Sequence, residues 1–476
     1  MTTRFGTHPV ARFLPLVLCV MTGLVLTGCV VGPNYKRPNV DVPATYRGTP
    51  DVDAPKAASA SLGEQKWWDV FQDPQLQQLI RTALQQSYDV RIAATHVLEA
   101  QAQVGITRAD QYPNVYGGGS ITNLHNPPTG PIPAYGLTLG RVTATAAWDL
   151  DFWGKYRRAT EAARAQLLAS EWARQEVNAT LVENVATAYF QLRELDLELD
   201  ISKNALASRK ESLDLTQTLV EHGISSILDV RQAEQLVYTA AAEIADVERR
   251  IGQQEDLISI LLGNNPASVA RGMELVDQPH APQVPAGLPS ALLERRPDIR
   301  QAEQMLVAAN ARIGVARAAY FPDISLTATP GFQSSALTSL FSGSAGVWTF
   351  TGTLTQPIFT AGKIRSNVQL AQDQQQEAVL TYQQTIQGAF RDVSDALIGY
   401  QQDQEFRAQQ ELLARSAQDA AQLSGMRYKA GTTNYLEVLT NETNYLTADL
   451  GLAQARLNEL LALVQIYKAL GGGWQQ

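Results

Sequence analysis

The sequence predicts a mainly α-helical protein that also carries membrane-type β-strands and is built from two structural repeats. Three observations carry that prediction. Lys155 to His222 contains neither Gly nor Pro and is rich in Ala, Leu, Glu, Gln and Arg, which reads as one helix extending about 100 Å at about 1.5 Å per residue. The chain also repeats itself: His222-Gly223-Ile224-Ser225-Ser226-Ile227-Leu228-Asp229-Val230 matches Ala430-Gly431-Thr432-Thr433-Asn434-Tyr435-Leu436-Glu437-Val438, with Gly431 standing 208 residues after Gly223. Gly154-Lys155-Tyr156-Arg157 matches Gly362-Lys363-Ile364-Arg365 at the same spacing, and Tyr112-Pro113-Asn114 matches Phe321-Pro322-Asp323. So long a period excludes a solenoid and leaves a two-fold duplication. Lastly, Trp348, Phe350, Gly352 and Leu354 alternate with Thr349, Thr351, Thr353 and Thr355, the dyad pattern of a strand with one oily and one wet face.

The N-terminus reads as an export signal. Arg4 and Arg12 precede the apolar run Phe13 to Leu26, shorter than the roughly 20 residues of a spanning helix but suited to a signal core. It closes on Leu26-Thr27-Gly28-Cys29, which resembles the bacterial lipoprotein box and makes Cys29 the lipidated first residue of the mature chain. Residues 1–28 are then the signal peptide. Cys19 leaves with them, so the mature chain holds one thiol and no intrachain disulfide. Loss of the two arginines and of no acidic residue takes the formal net charge from −9 to −11. Val30 and Val31 follow the cysteine where Asp would mark inner-membrane retention, favouring the outer membrane.

Residues 29–66 read as an extended segment, 67–262 as the first repeat, 263–296 as an interrepeat segment, 297–470 as the second repeat and 471–476 as a tail. Each repeat runs helix, two strands, very long helix, tight Gly turn, returning helix. Strands are expected at about 113–122, 138–151, 322–330 and 346–358, and the connectors Asn123 to Gly136 and Gly331 to Gly346 read as loops. Gly388, Gly399 and Gly425 are points where the second long helix, Lys363 to Ala430, could soften. The last helix carries Leu436, Leu439, Thr443, Leu446, Leu450, Ala453, Leu457, Leu460, Val464 and Tyr467 at alternating spacings of three and four, a coiled-coil seam. A second stripe beside it, through Val438, Tyr445, Ala448, Leu452, Ala455, Ala462 and Ile466, gives it two flanking neighbours. Val230, Ala233, Val237, Ala240, Ile244, Val247, Ile251, Ile258 and Leu261 form the matching stripe in the first repeat. Four strands cannot close a membrane barrel, which takes about eight, so copies of the chain must share one.

Apolar residues at 45% and charged residues at 18% exclude disorder, and the negative net charge excludes a general nucleic-acid binder. The five histidines, His8, His96, His125, His222 and His280, are scattered, and no nucleophile elbow, phosphate-binding loop or His-Glu-x-x-His occurs. The expectation is no enzyme, no metal and no cofactor other than a covalent lipid on Cys29. A scaffold lipoprotein without a pore is the competing class, and it needs no lipid-facing hairpins.

Trp67-Trp68-Asp69-Val70-Phe71-Gln72-Asp73-Pro74, Gly32-Pro33-Asn34-Tyr35 and the stretch Leu288 to Arg300, with its Arg295-Arg296-Pro297-Asp298-Ile299-Arg300 core, are present in the chain. Together they make the mature chain resemble the TolC/OprM outer-membrane factors, especially the NodT-like efflux lipoproteins. Pro297 and Asp298 by themselves read as a helix start. The resemblance implies a homotrimer with a twelve-stranded barrel above a coiled-coil periplasmic cylinder. It further implies a periplasmic adaptor and an inner-membrane pump of RND type, with drugs or other small molecules as cargo; protein secretion and metal-ion efflux are the alternative duties. It places a periplasmic gate at the helix-tip turns of Gly223 and Gly431, with Asp229 and Tyr428 as a latch and Glu437 as a pore-facing carboxylate. Thr433 and Thr440 depart from the TolC pattern, which has Arg and Asp there.

Overall fold

The computed structural model describes residues 30–47, 61–131, 133–279, 286–287 and 289–474. The signal segment 1–28 and Cys29 lie outside the described residues. Helices α1 (Pro74–Gln86) and α2 (Tyr88–Ala109) lead into strands β1 (Asn114–Asn126) and β2 (Tyr135–Asp149). Helix α3 (Lys155–Glu221) and its return α4 (Ile227–Leu261) complete the first series. The order then recurs: α5 (Pro289–Arg295), α6 (Pro297–Ala318), β3 (Asp323–Ser334), β4 (Gly346–Thr355), α7 (Lys363–Lys429) and α8 (Tyr435–Ala469). The two long helices are both 67 residues and the two returning helices both 35. Gly388, Gly399 and Gly425 leave α7 unbroken. Among the described residues no helix is long and apolar enough to cross a membrane.

Two compact units emerge. The first holds the described residues up to Asn39 with Val97–Ser170 and Ala302–Tyr382. Its four strands form one antiparallel sheet in the order β1-β2-β3-β4. The register aligns the chemistry across all four strands: Val115 opposes Ala146, Ala146 opposes Ala328, and Ala328 opposes Phe350. One residue along, Ala147, Thr327 and Thr351 line up on the opposite face. Since side chains alternate in a strand, one face is apolar and the other rich in threonine. The apolar face is uncovered in the single chain, with Trp348 79% and Phe350 63% exposed. The two connectors are shorter than the sequence suggests. β1 pairs with β2 out to Asn126 and Tyr135, so Asn123 to Asn126 are strand; Leu124 opposite Leu137 continues the ladder past the apolar band. β3 likewise runs on to Ser334, and the rest of its connector forms two short 3-10 turns.

The second unit holds the described residues of Val40–His96, Glu171–Gln301 and Gln383–Gln476. On α4 the apolar stripe faces inward, with Val230, Ala233, Ala240, Val247 and Ile258 buried. On α8 the two stripes part company near the tip. Val438, Ala448 and Leu452 of the second stripe are buried, whereas Leu436 of the first is 56% exposed. Leu439 of the first stripe packs against the cluster of Ala233, Tyr428, Tyr435 and Val438, so among the stripe's described leucines only Leu436 is left exposed within one chain.

Candidate functional site at the helical tips

Each long helix ends in the same turn. At the first tip Gly223 N–H donates to Val220 O at 2.9 Å and Ile224 N–H to Leu219 O at 2.8 Å; at the second Gly431 N–H donates to Tyr428 O at 2.9 Å and Thr432 N–H to Arg427 O at 3.0 Å. This is the Schellman arrangement, which needs a left-handed residue. Gly223 at φ 73° and Gly431 at φ 67° supply it, because any side chain would be strained there.

The returning helices start alike as well. Ser226 and Asn434 are the N-caps, their side chains accepting from the N–H groups of Asp229 and Glu437 at 3.4 and 3.2 Å. Ahead of each cap stands a hydroxyl aimed at the same acid: Ser225 donates to Asp229, and Thr433 to Glu437. Ser226 N–H also donates to Asp229 Oδ2 at 3.0 Å, completing a capping box. Burial works against the Asp229 charge, but the bonds from Ser225 and Ser226 outweigh it and hold the carboxyl below its ordinary value.

Asp229 and Tyr428, the pair expected to form a latch, meet through a third side chain. Ser225 Oγ lies 3.5 Å from the Tyr428 hydroxyl, the outer limit of a hydrogen bond, and bonds Asp229 on its other side. Tyr428 is buried against Tyr435, ring centres 5.4 Å apart, in a cluster with Ala233 and Val438. Glu437 is engaged too: Arg427 Nη1 donates to its Oε1 at 2.6 Å, beside the Thr433 bond to Oε2. The sequence reading missed Ser225 and Arg427. The hairpin itself contains their signal, since a turn at Gly431 folds the residues before it back beside those after it. Thr433, where the sequence departs from the TolC pattern, and Arg427 thus bond the same carboxylate.

The other motifs serve folding. Asp73, fully buried, caps α1 by accepting from Gln75 N–H at 2.8 Å and gathers Tyr189 OH at 2.7 Å, Gln278 Nε2 at 2.9 Å and Met273 N–H at 3.0 Å. Arg296 grips Asp298 with Nε at 3.0 Å and Nη2 at 2.7 Å, and reaches Asp392 at 3.2 Å and Ala469 O at 3.3 Å. Pro297 opens α6, as its helix-start reading requires. In the first unit, Pro33 O accepts from Asn310 at 3.0 Å, Asn34 from the buried Arg158 at 2.8 Å, and Tyr35 donates to Glu303 at 3.2 Å. Gly32, at φ 107°, passes so close to Gly314 that an added Cβ would stand 2.5 Å from its Cα. Val31 N–H donates to Trp153 O at 3.1 Å, so the residues just after Cys29 are fastened beside the end of β2.

A sheet with one bare apolar face, joined in sequence to paired helices with capped tips, defines a membrane-seated helical-hairpin protein. Residues 79–264 and 288–472 each match the Outer membrane efflux protein family. Over 469 residues the chain is 37% identical to the probable efflux pump outer membrane protein TtgC of Pseudomonas putida, covering 97% of this chain and 96% of that one. It is 36% identical over 462 residues to the cation efflux system protein CusC of Escherichia coli, covering 97% and 99%. The fold is similar to crystal structures of CusC, at a TM-score of 0.85 and 33% identity over 94% of this chain and 100% of that one. It is equally similar to the open state of the Neisseria gonorrhoeae MtrE outer membrane channel, at 0.85 and 31% over 94% and 99%. The chain belongs to the outer membrane efflux protein family, as a duct of the outer membrane and not an enzyme.

Proposed function

We propose that three copies of this chain close a twelve-stranded barrel in the outer membrane, anchored by lipid on Cys29. The assembly passes small molecules outward that a periplasmic adaptor and an inner-membrane pump of RND type deliver. In this proposal each copy has repeats over 67–262 and 297–470 around the interrepeat segment 263–296. No nucleic acid takes part. One observation carries the proposal: a four-stranded sheet with an exposed apolar face, a threonine face, and open edges at β1 and β4. Open edges are not tolerated in lipid, where each unpaired N–H and C=O costs several kcal/mol. Pairing β1 of one copy with β4 of the next removes every edge and turns threonine toward a wet lumen. The exposed Leu436 at the start of α8 supports association at the helical end as well. The likeness to CusC supports cation export as a second reading of the cargo.

Native mass spectrometry and planar-bilayer recording of the detergent-purified protein test this. A trimer with small, tip-limited conductance is expected. A monomer without channel activity would overturn the three-copy shared barrel.

A further inference from the structure

Near the tips, α3, α7 and α8 enclose a cavity of about 550 Å³, within the range of small-molecule sites. Tyr428, Tyr445, Leu215 and Val438 are among its lining residues. Its charged lining is Glu211 and Glu442 against Lys429; burial pushes the Glu442 carboxyl above its ordinary value, against the Ser212 hydrogen bond and the Arg209 charge. Glu442 stands where this cavity joins a smaller one of about 140 Å³, which also shares Tyr445 and Ser208. Its Oε1 accepts the Ser212 hydroxyl at 3.1 Å, whereas Oε2 is buried and accepts nothing. A buried acceptor left unmade is costly and calls for a donor. Arg209 lines only the smaller cavity and spends Nη1 on Leu236 O at 3.1 Å.

We propose that this cavity binds an aromatic organic cation, with the Glu442 carboxylate receiving its N–H donor and the Tyr445 ring receiving its ring. Carboxylate, aromatic ring and apolar lining are together the features that recognise such a ligand. The site is set back among the helices of one chain, apart from Glu437. Tyr428 lines it as well, and its hydroxyl meets the Ser225 that bonds Asp229. The inference goes beyond the duct and does not depend on what the duct carries.

Fluorescence titration of the purified full chain with ethidium tests it, against detergent micelles alone as background. Saturable binding of one ethidium per chain is expected. Glu442→Gln should weaken it roughly tenfold, a loss of about 1.4 kcal/mol, while Glu221→Gln, an exposed acid outside the cavity, should leave it unchanged. If Glu442→Gln does not fold, Leu215→Trp fills the cavity instead and should abolish binding. Unchanged affinity in Glu442→Gln or Leu215→Trp, an equal loss in Glu221→Gln, or no saturable binding by the wild type overturns the site.

Discussion

Tyr189 donates its hydroxyl to Asp73 Oδ2 at 2.7 Å, and both side chains are fully buried. Asp73→Ala removes a helix cap and strands the Tyr189, Met273 and Gln278 donors. The expected loss is about 3 kcal/mol or more, read as a lower thermal midpoint by circular dichroism in detergent. Burial works against the charge, but hydrogen bonds from Tyr189, Gln278, Gln75 and Met273 outweigh it and hold the carboxyl below its ordinary value. A depressed folded pKa gives stabilisation that is complete above the ordinary Asp range and is lost as pH falls through the folded value. The gap between wild type and mutant should therefore stay constant from about pH 5 to 8 and narrow only below about pH 4. An unchanged midpoint at pH 7 would sink the assignment.

Glu194 and Glu198 stand one turn apart on α3, both buried, and Arg250 gives its Nη1 to both Glu198 oxygens at 2.9 Å. Burial and then the Glu198 charge, opposed by Arg250, push the Glu194 carboxyl up to about 7. Between the ordinary glutamate value and that one, the folded chain holds a proton that the unfolded chain gives up, so stability declines as pH rises across the window. Glu194→Gln relieves a cost on the order of 3 kcal/mol above pH 7. It should raise the thermal midpoint at pH 8 and leave it near wild type at pH 5; an equal effect at both would show that Glu194 is not protonated in the fold.

The long helices were legible because 155–222 lacks Gly and Pro, a purely local property. The faces of β4 were legible because threonine occupies every second position from Thr349 to Thr355. The strand ends were less so: Asn123 and His125 look like loop residues, yet strand pairing continues through them. Asp73-Pro74 could be read as a helix cap, but not as a hub, because Tyr189 and Gln278 reach it from 116 and 205 residues away. The same distance hid the Ser225 bridge to Tyr428, 203 residues on. Spacing along one helix shows a face; it does not show which face of another helix meets it.

Cys29 should be acylated, and Val31 fastened to Trp153 O would set the lipid beside the end of β2. Lipid chains add membrane affinity with each buried methylene, but the barrel face does not need them to insert. Cys29→Ser should therefore lose the lipid mass in intact mass spectrometry while still fractionating with the outer membrane. A mutant with unchanged mass and processing shows that Cys29 carries no lipid.

The gate assignment makes opposite forecasts for neighbouring residues. Three Glu437 carboxylates around a narrow opening would concentrate negative potential and favour cations. Arg427, 2.6 Å from each, offsets part of that potential. Glu437→Gln should reduce cation preference and Arg427→Gln should increase it, both read from single-channel reversal potentials in a salt gradient. The latch is separate: Ser225 joins Asp229 to Tyr428, so Ser225→Ala should raise closed-state conductance in the same direction as Asp229→Ala combined with Tyr428→Phe. Asp229 also belongs to the capping box of α4, so its loss frays the helix start by about 1 kcal/mol in addition; Ser225→Ala leaves that cap in place and isolates the bridge. Wild-type selectivity in both charge variants, with wild-type leak in Ser225→Ala, would remove the gate from these tips while leaving the duct intact.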